Sequence, residues 1–264
     1  MRKLIFVTLI LTCLSSCSQK VDLDIEHLFK EFQVTGCFVL YDLKRDNYKI
    51  YNRERVLKRY FPASTYKILN TIAALESGVA QNENFFLKWD GVSGVVPSHK
   101  QDHTLKLAFQ NSTLWFYQEV ARRVGLKQMQ EIVNKANFGN KEIGSRVDQF
   151  WLEGPLEISA MEYIDFLKKL YLEALPFSQD ALKKAKNIYI TERTSDYTLS
   201  SKTGTTVVNG EQLSWYVGYI EKEDDTFLFA MNVTSPRPEN FLDGKAVKSR
   251  VPLTRKILTE MEVL

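Results

Sequence analysis

The sequence predicts an α+β protein in which an antiparallel sheet, flanked by N- and C-terminal helices, is interrupted by a mostly helical insertion. Three observations predict it. Segments with the two-residue period of strands lie towards both ends of the chain, and the stretch from Ser64 to about Lys186 carries a helical period instead. The last strand-like segments are joined by short turns, which make hairpins and not parallel crossovers.

Taken in order, Met1-Arg2-Lys3 is a short basic start and residues 4–14 are an almost unbroken apolar run, the pattern of a bacterial export leader. That run is short for a bilayer span. Leu14-Ser15-Ser16-Cys17 reads as a lipobox, so residues 1–16 are expected to be removed and Cys17 to carry lipid, with plain leader cleavage as the alternative. Residues 17–264 then form one domain, exported to the periplasm and anchored to the membrane. Cys13 leaves with the leader, and Cys37 remains as a single buried free thiol.

Residues 36–41 and 48–52 are strand-like and flank a turn-rich segment, which predicts a hairpin. After Ser64, Ile68, Leu69, Ile72 and Leu75 recur on one helical face and Gly78 follows as a stop. Further helices are predicted near 113–124, 126–136, 159–172 and 178–186. Strands follow at 198–208, 213–221 and 226–233, linked by Asn209-Gly210 and by residues 222–225. An amphipathic helix over 244–261 closes the chain. A cleft is expected where sheet and insertion meet.

Composition excludes several classes. Of the 264 residues 44% are hydrophobic and 25% charged, as in an ordinary globular protein, and no repeat or low-complexity tract interrupts them. Lys and Arg number 35 against 32 Asp and Glu, a net charge of +3 that is too balanced for a general nucleic-acid binder. Three cysteines make no disulfide scaffold. The sequence has no G-x-G-x-x-G, P-loop, H-E-x-x-H, paired C-x-x-C or G-x-S-x-G motif. His99 and His103 have ligand-like spacing, but no acidic partner completes a metal site, and they read as solvated loop histidines.

What remains is Phe61-Pro62-Ala63-Ser64-Thr65-Tyr66-Lys67. A proline before a helical run puts Ser64 in the first turn and Lys67 one turn on, facing the same way. A serine hydroxyl needs a base within hydrogen-bond reach, and a lysine serves only when burial makes it neutral. Alone the pattern is weak, because S-x-x-K occurs by chance about once in a chain of this length and a helix-start serine is usually a cap. Two further elements strengthen it. Ser201-Lys202-Thr203-Gly204-Thr205 lies in a strand of the C-terminal meander, and Ser112-Thr113-Leu114 lies at a helix start in the insertion, able to offer a second hydroxyl from an opposite wall.

This set is that of the penicillin-recognising serine enzymes, and over essentially the whole mature chain the sequence resembles the class D β-lactamases. Ser64-Thr65-Tyr66-Lys67, Phe138-Gly139-Asn140, Phe150-Trp151-Leu152-Glu153-Gly154, Lys202-Thr203-Gly204 and Trp215-Tyr216-Val217-Gly218-Tyr219 are similar to that family's boxes, as is Arg250 before the last helix. The resemblance implies a β-lactam substrate and a serine acyl-enzyme on Ser64, with the backbone N–H groups of Ser64 and Thr205 as oxyanion hole. It implies a Lys67 carboxylated by CO2 and held by the Trp151 indole, and Ser112 relaying a proton to the leaving nitrogen with help from Lys202. Thr203, Gly204, Leu114 and Arg250 would bind the substrate, Arg250 and Thr203 taking its carboxylate.

Two positions depart from the pattern: Phe138 replaces the common tyrosine, and Leu114 stands where valine is usual. The cleft width around residues 95–100 and after Thr205 and Val233 is expected to set substrate range. A penicillin-binding protein, a β-lactam sensor and a non-catalytic lipoprotein are the alternative functions. Asn140 is left between a catalytic and a turn-shaping role.

Overall fold

The computed structural model describes residues 19–92 and 96–264. The expected leader over 1–16 and the Cys17 lipidation site lie outside the described residues, as does Val95. The chain opens with β1 (Gln19–Asp22), α1 (Glu26–Glu31), the hairpin β2 (Thr35–Asp42) and β3 (Asn47–Tyr51), and α2 (Arg53–Leu57). The insertion contributes α3 (Lys67–Glu76) and the two-residue strands β4 (Phe86–Leu87) and β5 (His103–Thr104). It continues through α4 (Leu105–Gln110), α5 (Leu114–Val124), α6 (Leu126–Ala136), α7 (Ala160–Tyr171) and α8 (Gln179–Tyr189). The chain returns as β6 (Ile190–Arg193), β7 (Thr198–Val208), β8 (Glu211–Lys222) and β9 (Asp225–Pro236), and ends with α9 (Lys245–Glu260).

The main sheet has seven strands in the order β1-β3-β2-β9-β8-β7-β6. It departs from the wholly antiparallel expectation at one edge, where β1 runs parallel to β3. All four residues of β1 are exposed, so no apolar alternation marked it as a strand. The inner strands are different. In β8, Leu213, Trp215, Val217 and Tyr219 face the helical insertion while Tyr216 and Ile220 face the layer that holds α1 and α9. In β2, Cys37, Val39 and Tyr41 divide from Phe38 and Leu40 in the same way. Both faces of these strands are covered, and their sequences read as nearly continuous apolar runs.

Helix starts follow their caps. The Ser159 side chain accepts from Glu162 N and the Glu162 side chain from Ser159 N, a complete capping box that fixes the start of α7. Ser178 caps α8, and Asn137 in the left-handed conformation ends α6. α3 is buried almost all round, from Lys67 to Ala74, against α5 and α8. Fully burying a Leu69 or Ile72 side chain contributes about 1.5–3 kcal/mol each. The start of α3 is thereby held between the insertion and the sheet.

Candidate active site

The Ser64 turn is made by local geometry. Pro62 precedes a single 3-10 turn, Ala63–Tyr66, and the α-helix proper begins only at Lys67. Ala63 has φ +50°, a left-handed conformation that costs about 1–3 kcal/mol for a residue with a Cβ and persists where its surroundings hold it. Three contacts hold it. Ala63 N donates to Trp151 O (2.8 Å), Trp215 Nε1 donates to Phe61 O (3.0 Å), and Thr65 Oγ1 donates to Pro62 O (2.5 Å). The Thr65 hydroxyl also meets the Tyr163 hydroxyl.

This turn puts the two residues of the sequence motif together. Lys67 Nζ lies 2.8 Å from Ser64 Oγ. Lys67 is fully buried, with its Nζ 5.6 Å from the Tyr117 ring centroid, and desolvation, aided by Lys202, pushes its pKa well below the usual lysine value. A neutral amine there can accept the hydroxyl proton, which an ammonium cannot.

β7 runs against this turn. A Cβ on Gly204 would stand 2.8 Å from Pro62 O, 3.0 Å from Thr65 N and 3.1 Å from Ser64 N, so the approach of strand to turn requires glycine. Lys202, also buried on β7, donates to Thr203 O (3.1 Å), and burial followed by the Arg250 charge lowers its pKa to about 7. On α9, Arg250 donates from Nη1 to Thr205 Oγ1 (3.1 Å) and keeps a buried Nε that has no partner among the described residues. Its pKa is pushed down to about 10 by burial. A guanidinium so placed has donors left for a carboxylate.

Trp151 is completely buried and stacks on Tyr66 at 5.4 Å, with Phe150 edge-on to both. Among the described residues its indole Nε1 has no acceptor. A buried donor left unmade costs about 1–3 kcal/mol, so an acceptor placed within reach of this N–H would be favoured. Phe138 joins the same aromatic cluster through Tyr66, Tyr163 and Phe166. A phenylalanine there fills space and offers no oxygen.

One cavity of about 760 Å³ joins these elements, and Ser64, Ser112, Leu114, Thr203, Gly204, Thr205 and Arg250 all line it. Ser112 sits in the turn between α4 and α5 at φ +56°, just before the Thr113 N-cap, so that Ser112-Thr113-Leu114 leads into α5 as the sequence suggested. Asn140 stays outside. Its side chain bonds Pro155 O, Glu157 N and Glu142 N, which assigns it to shaping the loop after α6.

The histidines differ from the expectation of solvated loop residues. His103 is fully buried, with Nδ1 2.7 Å from Gln101 O and Nε2 2.9 Å from Thr113 Oγ1, a satisfied polar group beside the Ser112 turn. His99 is half-buried and lines the cavity, its Nε2 3.0 Å from Asn111 O and its own carbonyl accepting from Trp115 Nε1 (2.7 Å). Among the described residues no cluster of His, Cys, Asp and Glu could hold a metal ion. Sequence reasoning missed His99, Arg237, Phe241 and Leu242 by name, although residues 95–100 and the loop after Val233 were expected to border the cleft.

The buried lysine has a consequence for stability. Lys202 holds its proton in the native state only below about pH 7, whereas the unfolded side chain keeps it to about pH 10.4. Between those values the unfolded chain binds the extra proton, so stability rises with pH, by at most about 1.4 kcal/mol per unit for one lysine. Urea unfolding between about pH 7 and 8, below the range where the unfolded Cys37 thiol and the tyrosines titrate, is expected to show that rise. Lys202→Met is expected to lower the slope to the share that the buried Lys67 contributes, and an equal slope in both proteins contradicts the assignment.

The penicillin-binding protein transpeptidase domain family matches residues 36–259. The probable β-lactamase YbxI of Bacillus subtilis (strain 168) is 39% identical over 204 residues, covering 77% of this chain and 76% of that protein. The regulatory protein BlaR1 of Bacillus licheniformis is 36% identical over 211 residues, 80% of this chain but 35% of the relative. Among solved structures, the class D β-lactamase FUS-1 (OXA-85) of Fusobacterium nucleatum subsp. polymorphum superposes with a TM-score of 0.85 at 38% identity, over 90% of this chain and 97% of its own.

Proposed function

The chain belongs to the class D β-lactamases, and from that membership we propose that it hydrolyses β-lactam antibiotics through an acyl-enzyme on Ser64, with Lys67, carboxylated by CO2, as the seat of the general base. The observation that carries the reading is the dry Lys67 Nζ, 2.8 Å from Ser64 Oγ. Only a neutral amine combines with CO2, so the burial that depresses its pKa also makes it modifiable. The unpartnered Trp151 Nε1–H fits the resulting carboxylate. That group supplies a basic oxygen beside the serine.

The residues of this chain divide the remaining work. Ser64 Oγ gives up its proton on the Lys67 side and bonds to the β-lactam carbonyl carbon, while the Ser64 and Thr205 backbone N–H groups take the developing oxyanion. The ring C–N bond breaks and the nitrogen takes a proton delivered through Ser112, with Lys202 beside the path. Arg250 and Thr203 hold the substrate carboxylate, and Leu114 and Gly204 shape the wall against which it lies. A water, activated on the Lys67 side, then cleaves the ester. Export by the leader over residues 1–16 and a lipid on Cys17 belong to the same proposal, and the mass of the mature chain reports both.

The likeness to BlaR1 favours a second reading, a sensor that is acylated and released slowly. A chromogenic cephalosporin separates the two: sustained turnover by the purified protein, absent in Ser64→Ala, is the expected result. A single stoichiometric burst supports the sensor and overturns the enzyme. Trp151→Phe keeps an aromatic ring but removes the N–H, and is expected to lower kcat about 30- to 160-fold, the loss of a hydrogen bond to a charged group of about 2–3 kcal/mol. Part of that loss is expected to return with added bicarbonate. A Trp151→Phe protein that turns over at the native rate without bicarbonate removes the indole from the mechanism.

A further inference from the structure

Beyond the catalytic groups, the cavity wall holds a cation that the mechanism does not use. Arg237 follows β9 between Pro236 and Pro238 and lines the cavity together with Phe241 and Leu242, which are 37% and 46% exposed. The residue before a proline is held to extended backbone, so the base of the Arg237 side chain is fixed on both sides. Among the described residues no acceptor or acidic partner engages its guanidinium. The acidic residue that lines the same cavity, Glu153, is taken by Arg146 at 2.7 Å, and Asp243, at the far end of the segment, pairs with Lys248 at 3.2 Å.

The segment is also pinned from beneath. Gln212 on β8 is fully buried, donates from Nε2 to Phe241 O (2.5 Å) and accepts at Oε1 from Val247 N (3.4 Å). Gly244 permits this, since a Cβ there would fall 1.8 Å from Gln212 Oε1. Asn240 and Asp243 close the turn with a side-chain bond of 2.6 Å and a backbone bond of 3.0 Å. The cavity rim is therefore set before a ligand arrives, which spares the ordering cost of binding.

Resting on the β-lactamase reading of this cavity, we propose that residues 237–242 form an outer subsite for the acyl side chain of the substrate. In it Phe241 and Leu242 take the apolar part and Arg237 selects a side chain bearing its own negative charge. The ligand class is a dianionic β-lactam. Its first carboxylate goes to Arg250, and its second, on the acyl side chain, goes to Arg237.

The experiment compares a benzyl-side-chain penicillin with its α-carboxylated counterpart, which differ only in that second carboxylate, by steady-state kinetics at low ionic strength. The expected result is that the KM ratio of monoanion to dianion falls about fivefold in Arg237→Ala, the size of one exposed ion pair. It is expected to fall further in Arg237→Glu, to be largely kept in Arg237→Lys, and to shrink in the native protein at high salt. A ratio that is the same in native, Arg237→Ala and Arg237→Glu proteins overturns the subsite while leaving the hydrolase intact. Failure of the native protein to turn over either penicillin overturns the hydrolase reading and the subsite with it.

Discussion

Lys67→Ala is expected to lower kcat by about 10³- to 10⁴-fold, the scale of losing a positioned acid–base group, while the protein still binds β-lactam in the cavity. Two features of the site make this the largest effect outside Ser64 itself. Lys67 Nζ is, among the described residues, the side-chain group within hydrogen-bond distance of Ser64 Oγ, at 2.8 Å, and it is fully buried, 5.6 Å from the Tyr117 ring centroid. Added bicarbonate is expected to do nothing for this variant, because no amine remains to combine with CO2, whereas it is expected to help Trp151→Phe. Steady-state hydrolysis of a chromogenic cephalosporin with and without bicarbonate checks both statements. Native turnover by Lys67→Ala would falsify the assignment of the base.

Gly204→Ala is expected to cost about 10²- to 10³-fold in kcat with a smaller change in KM, although it adds only one methyl group. The three nearest atoms to that methyl are all backbone, Pro62 O, Thr65 N and Ser64 N, so no flexible side chain can swing away. Either β7 or the Ser64 turn must move by several tenths of an ångström. Such a shift parts the Ser64 and Thr205 N–H groups, which we propose hold the oxyanion together, and donors aimed at a developing charge are sensitive to displacements of this size. The thermal midpoint separates this from unfolding: a variant that melts near the native temperature yet turns over slowly supports the geometry. Native kcat in a folded Gly204→Ala protein would contradict it.

Most of the longer elements that bury an apolar face were legible in the sequence, whereas the short α1, α2, α4 and β6 were not predicted by range. The strands β7, β8 and β9 and the helices α5 to α9 lie within a few residues of their predicted limits, because alternation, helical spacing and Asn209-Gly210 all pointed the same way. β1 was not legible, since Gln19–Asp22 is exposed throughout and owes its pairing to β3 alone. Ser64 and Lys67 could be brought together by counting along one turn. Arg250 could not be joined to Thr205 in that way, because 45 residues separate them and the contact exists only after α9 docks on the sheet. The histidines were misjudged for a related reason. The loop that carries His103 looks polar, but its imidazole is enclosed by the Ser112 turn, which supplies a bond partner that no local pattern announces. Arg237 was hidden by its setting between two prolines, which reads as a plain surface loop until the cavity is seen.

The pairing of β2 with β9 sets a timetable for the chain. Thr35 and Thr234, 199 positions apart, share a hydroxyl contact of 2.9 Å at the sheet's centre. While synthesis runs from the N-terminus, the hairpin of β2 and β3 has no inner neighbour until Pro236 has been made, and the central pairing must close a loop that spans the whole insertion. Completion of the sheet is thus one of the last events in the life of the nascent polypeptide. Until then β2 lacks the central strand that it pairs with in the folded protein.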